Sequence, residues 1–470
     1  MKAFFAIMKQ TMRSAMRSKV FHVLFVLIIL AVFLLPMTVS GDGTAIGLVQ
    51  ISLTYSLNVV VALISTTTLW LACSLLSREI EAYNLHMVVC KPCPRWLIWL
   101  GKWAGVFVMH VVILLISCMI IYFLIQWRVS RGKFSDEERE RLEMETLVGR
   151  RTFYPEPINL GQRIEQEYQR RLASGSVEQQ HNPQAVKGEI RRTLIAQEGE
   201  VKPGDQKTWV YNNVKTASSD DVLFLRYRMY SGDTSDTNQL MIPCFWGFLI
   251  PAAREQAGEP FAMMHMRIPG GTFQEIPVSA AQVVDVENGY RVVVRFINLP
   301  QEFWGQGKAA SAVFQAKDRP VILCKVTGFL NNYLRSLVLA TFQIAFLAAL
   351  GCTVGAAFST PVAAFAAISY LVIGFSVQAA ITAPLQNEDG SYQYKGFVDK
   401  AAHKFAQLVS VAVVSVDDLD ATSDLIKGNL VEYRRIGWAF VNLVLIRTGI
   451  ISGIGIWILT RRELGTVIKR

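Results

Sequence analysis

Few residues in this chain could do chemistry, and their spacing excludes more than it offers. Gly305-Gln306-Gly307-Lys308 comes nearest to a phosphate-binding loop. Such a loop needs G-x-x-x-x-G-K-[ST], whose amides and lysine hold phosphates while the hydroxyl reaches magnesium. Ala309 follows the lysine here and the first glycine is misplaced, so the chain is not its own nucleotide motor. His22, His86, His110, His181, His265 and His403 are scattered, none at metal-ligand spacing to another His or Cys. There is no G-x-S-x-G nucleophile elbow. Cys90-x-x-Cys93 has the spacing of a redox or metal half-site but lacks a second pair. The sequence therefore assigns no catalytic and no metal-ligating residue.

Two further sets stay open. Arg447 falls near the middle of the apolar run Trp438–Leu459. A charge at that depth costs at least about 2.5–3.5 kcal/mol on insertion scales, so it must face protein or water. It either lines a substrate path with Asn442, Gln343 and Gln378 or pairs with those polar groups and packs. Cys244 and Cys324 are the two cysteines of the polar middle region. They form a disulfide if that region faces an oxidising compartment, or remain two buried thiols. Cys73, Cys118 and Cys352 lie in apolar runs and read as small core residues.

The elements that must position these groups are membrane spans. The chain has 470 residues, 52% of them hydrophobic, and a formal charge of +10. Its apolar residues gather in six runs, Val20–Val39, Ile51–Leu76, Trp103–Ile125, Leu337–Phe358, Val362–Ala383 and Trp438–Leu459. Each approaches or exceeds the roughly 20 residues that a spanning helix needs. The first lacks a small-residue cleavage site and stays as a span. The expected fold is a polytopic α-helical membrane protein with six transmembrane helices and an extracytoplasmic α+β insertion. Residues 1–127 hold the first three spans, 128–326 the insertion, and 327–470 the last three. The basic excess lies at Lys2, Lys9, Arg13, Arg17 and Lys19, in the loop 77–102, and at Arg461, Arg462, Lys469 and Arg470. The positive-inside rule puts these in the cytoplasm and the insertion outside. That predicts a multi-pass protein of the bacterial cytoplasmic membrane with both termini inside, and no nucleic-acid partner.

Lys2–Lys19 reads as a basic amphipathic helix in the inner interface, or as an extension of the first span. Within the loop, Ile80–Val89 forms a short helix with Tyr83, Met87 and Cys90 on one stripe, ended by Lys91-Pro92. Trp96, Leu97 and Trp99 then read as interfacial anchors. Gly101-x-x-x-Gly105 and Gly351-x-x-x-Gly355 are faces for close helix packing. The insertion is helical over 128–200, with solvated helices at Ser135–Leu147, capped by Ser135, and Leu160–Leu172. It turns β-rich over 207–326, with strands at Val222–Tyr230, Met263–Ile268, Tyr290–Ile297 and Val321–Val326. Asn288-Gly289 between Val283–Val286 and Arg291–Phe296 predicts a hairpin, and the whole a small sandwich or barrel-like domain. The external segment 384–437 carries the amphipathic Phe397–Val414, expected to dip into the outer leaflet.

The loop resembles the first cytoplasmic loop of type 2 ATP-binding-cassette exporter permeases. Their pattern is close to E-x-E-x-x-T-x-x-x-L-x-x-x-P-x-x-R followed by L-G-K, matched here at Glu79, Glu81, Pro92, Arg95, Leu100, Gly101 and Lys102. It departs from that pattern at Ala82, Tyr83 and Asn84, and Cys93-Pro94 is unusual. The polar segment Asp420–Val431 and the ending Arg461-Arg462-Glu463-Leu464 resemble the same family; the insertion does not. The resemblance implies a permease subunit of an exporter. It implies that Glu79, Glu81, Pro92, Arg95 and Lys102 dock a separate cytoplasmic ATPase, which carries the ATP and magnesium, and that a second permease subunit completes the path through the lipid bilayer. The chain itself binds no cofactor. A membrane-anchored scaffold or sensor and a membrane-bound extracytoplasmic hydrolase are the alternatives.

Overall fold

The computed structural model describes residues 2–38, 44–82, 93–132, 134–157, 161–175, 183–216, 218, 221–232, 241–251, 261–286, 289–304, 309–315, 318–382, 396–413, 420 and 422–462. Six helices among them are long and apolar enough to cross a bilayer, the architecture of a multi-pass membrane protein. They are α2 (Lys19–Thr38), α3 (Ala45–Glu81), α4 (Arg95–Arg131), α8 (Phe329–Ala357), α9 (Thr360–Thr382) and α11 (Tyr433–Arg461). The chain divides into a membrane unit, 1–149 with 327–383 and 400–470, and a second unit, 150–326 with 384–399.

In the membrane unit, helix α1 (Lys2–Met16) is separate from α2, not an extension of it: regular α-helix stops at Met16 and restarts at Lys19. Its Ile7, Thr11 and Ala15 are buried one turn apart. They lie on α4 where α4 has glycine. A Cβ at Gly101 would come 2.8 Å from Ile7 Cγ2, and one at Gly105 would come 2.8 Å from Thr11 Cβ. α8 packs on α3 in the same way, Gly351 against Ala72 and Leu69 and Gly355 against Cys73 O. Small residues let backbones approach where lipid gives no hydrophobic drive between helices. At 37 residues each, α3 and α4 extend for about 55 Å, well past a hydrocarbon core of about 30 Å. Both ends of the expected short link are therefore helix. Ile80 and Glu81 finish α3, and α4 already begins at Arg95. Trp99 is no interfacial anchor but is fully buried, whereas Trp96 is exposed. The rest of the expected loop helix, with Tyr83, Met87, Cys90 and Pro92, lies outside the described residues.

Helix α5 (Asp136–Glu145) starts on a complete capping box, Ser135 with Glu138, and buries Leu142 in the membrane unit's core. The boundary of the second unit thus falls at Gly149 rather than 127. The segment 128–200 is not all helical. Strand β1 (Val148–Phe153) precedes α6 (Gly161–Ala173) and α7 (Pro183–Gly199). Its Arg150 is buried and pairs with Glu275, 2.7 Å away, so two consecutive arginines do not prevent a strand there.

Ten further strands follow: β2 (Glu200–Val201), β3 (Gln206–Tyr211), β4 (Val222–Arg228), β5 (Tyr230–Ser231), β6 (Met241–Leu249), β7 (Phe261–Pro269), β8 (Phe273–Ser279), β9 (Val292–Asn298), β10 (Ala312–Val313) and β11 (Val321–Gly328). They form three sheets, ordered β1-β11-β4-β8, β2-β10-β5 and β3-β9-β6-β7. β6 lies between β7 and β9, antiparallel to both, with Phe245 opposite His265 and Trp246 opposite Phe296. The expected hairpin is reduced to one bridge, Asp285 with Arg291, because Ala280–Val283 forms a helical turn; Asn288 lies outside the described residues. Trp209, Tyr227, Trp246, Phe296 and Phe314 fill the core. Trp246 touches most of them, its ring 4.4 Å from Tyr227 and 4.9 Å from Phe296.

Helix α10 (Phe397–Ala412) is amphipathic, with Val398, Phe405 and Leu408 on one exposed face. The last span is irregular. From Phe440 to Thr448 it is a π-helix, entered and left through α-helix.

Candidate functional site

The residues matched by the loop resemblance converge at one end of the membrane helices. Glu79, in the last turn of α3, forms an ion pair with Lys102 of α4, and both side chains are largely buried, 14% and 5% exposed. Two residues on, Glu81 Oε1 accepts from Thr360 N, 3.2 Å away, at the start of α9. That places a carboxylate on the positive end of a helix dipole. Ser77 Oγ lies 3.2 Å from the same carboxylate, donates to Phe358 O at 3.0 Å and accepts from Thr360 Oγ1 at 3.2 Å. Arg95 Nη1 donates to the carbonyls of Leu459, Thr460 and Arg462 at 3.1, 2.8 and 3.0 Å, which satisfies the open end of α11. Arg462 in turn donates to Ala356 O at the end of α8.

Glu79, Glu81, Arg95 and Lys102, the residues expected to dock an ATPase, each have a partner inside the chain. Pro92 lies outside the described residues. The four tie together the ends of α3, α4, α9 and α11, drawn from both halves of the membrane unit. Ser77, Thr360 and Arg462 complete the cluster. Their partners lie some hundreds of positions away along the chain, so no local spacing announces them.

The opposite ends of α3, α8 and α11 are tied by the segment before α11. Thr422 Oγ1 meets Asn58 Oδ1 at 2.6 Å, and Asn332 is held from both sides, donating to Asn429 O and accepting from Val431 N, each at 2.8 Å. Arg435 pairs with Asp424 and donates to Asp420 O. Gly428 sits at φ +70°, and a Cβ there would lie 2.6 Å from Glu145 O, so glycine is needed twice over.

At mid-helix, the structure brings together only part of the set expected around Arg447. Arg447 Nε donates to Asn442 Oδ1 at 3.2 Å, five residues earlier. Thr448 Oγ1 likewise reaches Leu443 O five residues back, at 2.8 Å. Both pairs follow from the π-helix, whose repeat is i to i+5, and such segments recur at functional sites. Gln343 instead donates to Ser65 Oγ on α3 at 3.1 Å, and Gln378 lies on α9. Cys244 and Cys324 are free, buried thiols on different sheets. Burial pushes them up to about 12 and about 11, which leaves them unreactive at neutral pH.

Among the described residues, no group of three or more His, Cys, Asp or Glu is placed to hold a metal ion. A cleft of about 650 Å³ in the second unit is lined by Arg163, Glu198, Lys207 and Trp209. Burial raises the Glu198 carboxyl, but its bonds from Arg163 and Lys207 outweigh this and hold it below the usual carboxylate range, the opposite of what a general acid needs. Comparison with family models, with curated proteins and with solved structures returned no match.

Proposed function

We propose that the chain is the membrane subunit of an ATP-driven exporter, working with a separate cytoplasmic ATPase and a second permease subunit, with its loop end in the cytoplasm. One observation carries this reading. The segment between Ala82 and Cys93 is flanked by residues bonded to the ends of five helices from both halves of the membrane unit. A partner pressing on that segment would therefore move several spans at once rather than bend one. Glu79, Glu81, Arg95 and Lys102 act in this reading as the linkage behind the docking surface. The partner's footprint falls on the segment they flank, which includes Pro92.

The test is affinity purification of the full chain from its native membrane, with identification of the co-eluting chains. Stoichiometric recovery of an ATPase whose turnover rises when the two are reconstituted supports the proposal. Recovery of the chain with no ATPase, or with one whose turnover ignores it, overturns it.

A further inference from the structure

We propose that the cleft of the second unit binds an extended peptide carrying lysine or arginine, which adds as a strand to the free edge of β3. This site does not rest on the exporter reading. β3 ends its sheet, with only β9 beside it. The bonds around this ladder fix which way each residue points. Asn298 N donates to Asp205 O at 3.1 Å, and bonded pairs recur at every second residue, so Lys207, Trp209 and Tyr211 also bond to β9. Gln206, Thr208 and Val210 turn their N–H and C=O groups the other way. Val210 shows it directly, its carbonyl accepting from Glu156 N at 2.9 Å. Among the described residues, that bond is the chain's own cover of the edge. Pro155 and Pro157 flank Glu156 and have no N–H to give. Gln206 and Thr208 are exposed, and their outward backbone groups make no hydrogen bond among the described residues.

Both residues line the cleft of about 650 Å³. Each presents one donor and one acceptor, and the two sets are about 7 Å apart along the strand. Another extended backbone offers the complementary row at that spacing, which is how a peptide adds to a sheet edge. The cleft also has a facing wall: Gln197 and Glu198 belong to α7 and Arg163 to α6. An incoming strand would lie in a channel, held along one side by β3.

Charge selects the peptide. The lining carries four acids, Glu156, Glu198, Glu200 and Asp205, against two bases, Arg163 and Lys207, a net charge of −2. Both bases are engaged by one carboxylate, Glu198, which lies 3.2 Å from Lys207. The side chains of Glu200 and Asp205 have no hydrogen bond or ion pair among the described residues. An acidic chain would meet repulsion from them. A lysine or arginine on the peptide would give them charge-assisted hydrogen bonds.

The experiment is fluorescence anisotropy of a labelled short peptide alternating lysine and valine, titrated with the full chain in a neutral detergent. Two further probes run beside it: the same peptide with glutamate for lysine, and the lysine peptide N-methylated at every residue, which keeps the charge and loses the backbone donors. The expected result is saturable binding of the lysine peptide, with both other probes about ten-fold weaker or worse. Thr208→Pro should weaken the lysine peptide by about ten-fold. It removes an outward N–H and leaves the bonds to β9 whole, as proline on an edge strand does. Thr208→Ala should bind like wild type. Glu200→Gln combined with Asp205→Asn should also weaken binding by about ten-fold and flatten its loss with added salt. Equal binding of the N-methylated probe to the wild-type chain overturns the site, whatever Thr208→Pro does to folding. So does equal binding of the glutamate probe, the absence of saturable binding by the lysine peptide, or undiminished binding by a folded Thr208→Pro chain or by the charge variant.

Discussion

The membrane unit brings its helices together at glycines, and the second unit fills its core with aromatic rings. Gly101, Gly105, Gly351 and Gly355 let α1 reach α4 and let α3 reach α8, with side-chain and backbone atoms at 2.5–2.9 Å from where a Cβ would stand. Trp246, by contrast, sits with 0% exposure among Trp209, Tyr227, Phe296 and Phe314. The two solvents explain the difference. Water drives large apolar rings together. Lipid does not, so spans gain from close contact and from polar atoms satisfied at their ends. Side chains also cap the ends of the membrane unit's helices: Arg95 on α11, Glu81 on α9, Arg462 on α8.

The comparison breaks most directly at Gly355. A leucine there would collide with the Cys73 backbone, which cannot move without moving α3. Gly355→Leu should abolish the monodisperse peak of the full chain in detergent; wild-type recovery would show that the glycine contact does not hold the bundle. Trp246→Ala should act only on the second unit. It should lower that unit's stability by about 3–5 kcal/mol, the usual cost of emptying a large aromatic site. Near-ultraviolet circular dichroism on heating reads this loss, with the far-ultraviolet helical signal kept.

Much of this could be read in the sequence, unevenly. The six spans were legible because the apolar run itself is the signal, and the two G-x-x-x-G faces because a small residue every fourth position has few other uses in a span. The strands were half legible. β4, β9 and β11 carry β-branched and aromatic stretches. β6 was less legible: it reads MIPCFWGFL, with a proline and a glycine that normally demote a strand and with runs of buried residues in place of alternation. The helix ends were least legible. Glu79, Glu81, Arg95 and Lys102 stood out as a charged loop, but whether a charge faces outward or closes a cap depends on distant residues such as Thr360 and Arg462. The π-helix around Arg447 was also hidden, since faces drawn at 100° per residue fail where the repeat changes.

A third prediction sharpens the comparison at the loop end. Lys102→Met would leave Glu79 buried without its partner, which costs about 3–5 kcal/mol, whereas replacing both by apolar residues is often neutral or better. Lys102→Met should therefore lower the melting temperature of the full chain in detergent, and Glu79→Leu combined with Lys102→Met should recover it. If the single variant melts like wild type, the pair contributes nothing to the bundle and the charges are free for a partner. Once stability is recovered, the double variant also tests whether the linkage matters for function. A normal rise in turnover of the co-purified ATPase would limit the pair's role to folding.

The smallest effect belongs to the opposite end, where the charges are half-exposed. Asp420 accepts from Thr422 N and Ser423 N at 3.1 Å each. Burial raises this carboxyl, but the bonds from Ser423 and Thr422, with the Arg435 charge, prevail and hold it below the usual range. Its folded value thus lies below an unfolded value of about 3.9. The stabilisation is fully present above that unfolded value and is lost as pH falls through the folded one. Asp420→Ala should cost roughly 0.5–1.5 kcal/mol at neutral pH, the net worth of such hydrogen bonds. The gap from wild type should narrow as pH falls below that unfolded value and the wild-type carboxyl takes up its proton. Thermal unfolding of both proteins across that range measures it. A gap that stays constant with pH would mean that Asp420 acts through shape alone, and that this end, unlike the loop end, is held without titratable charge.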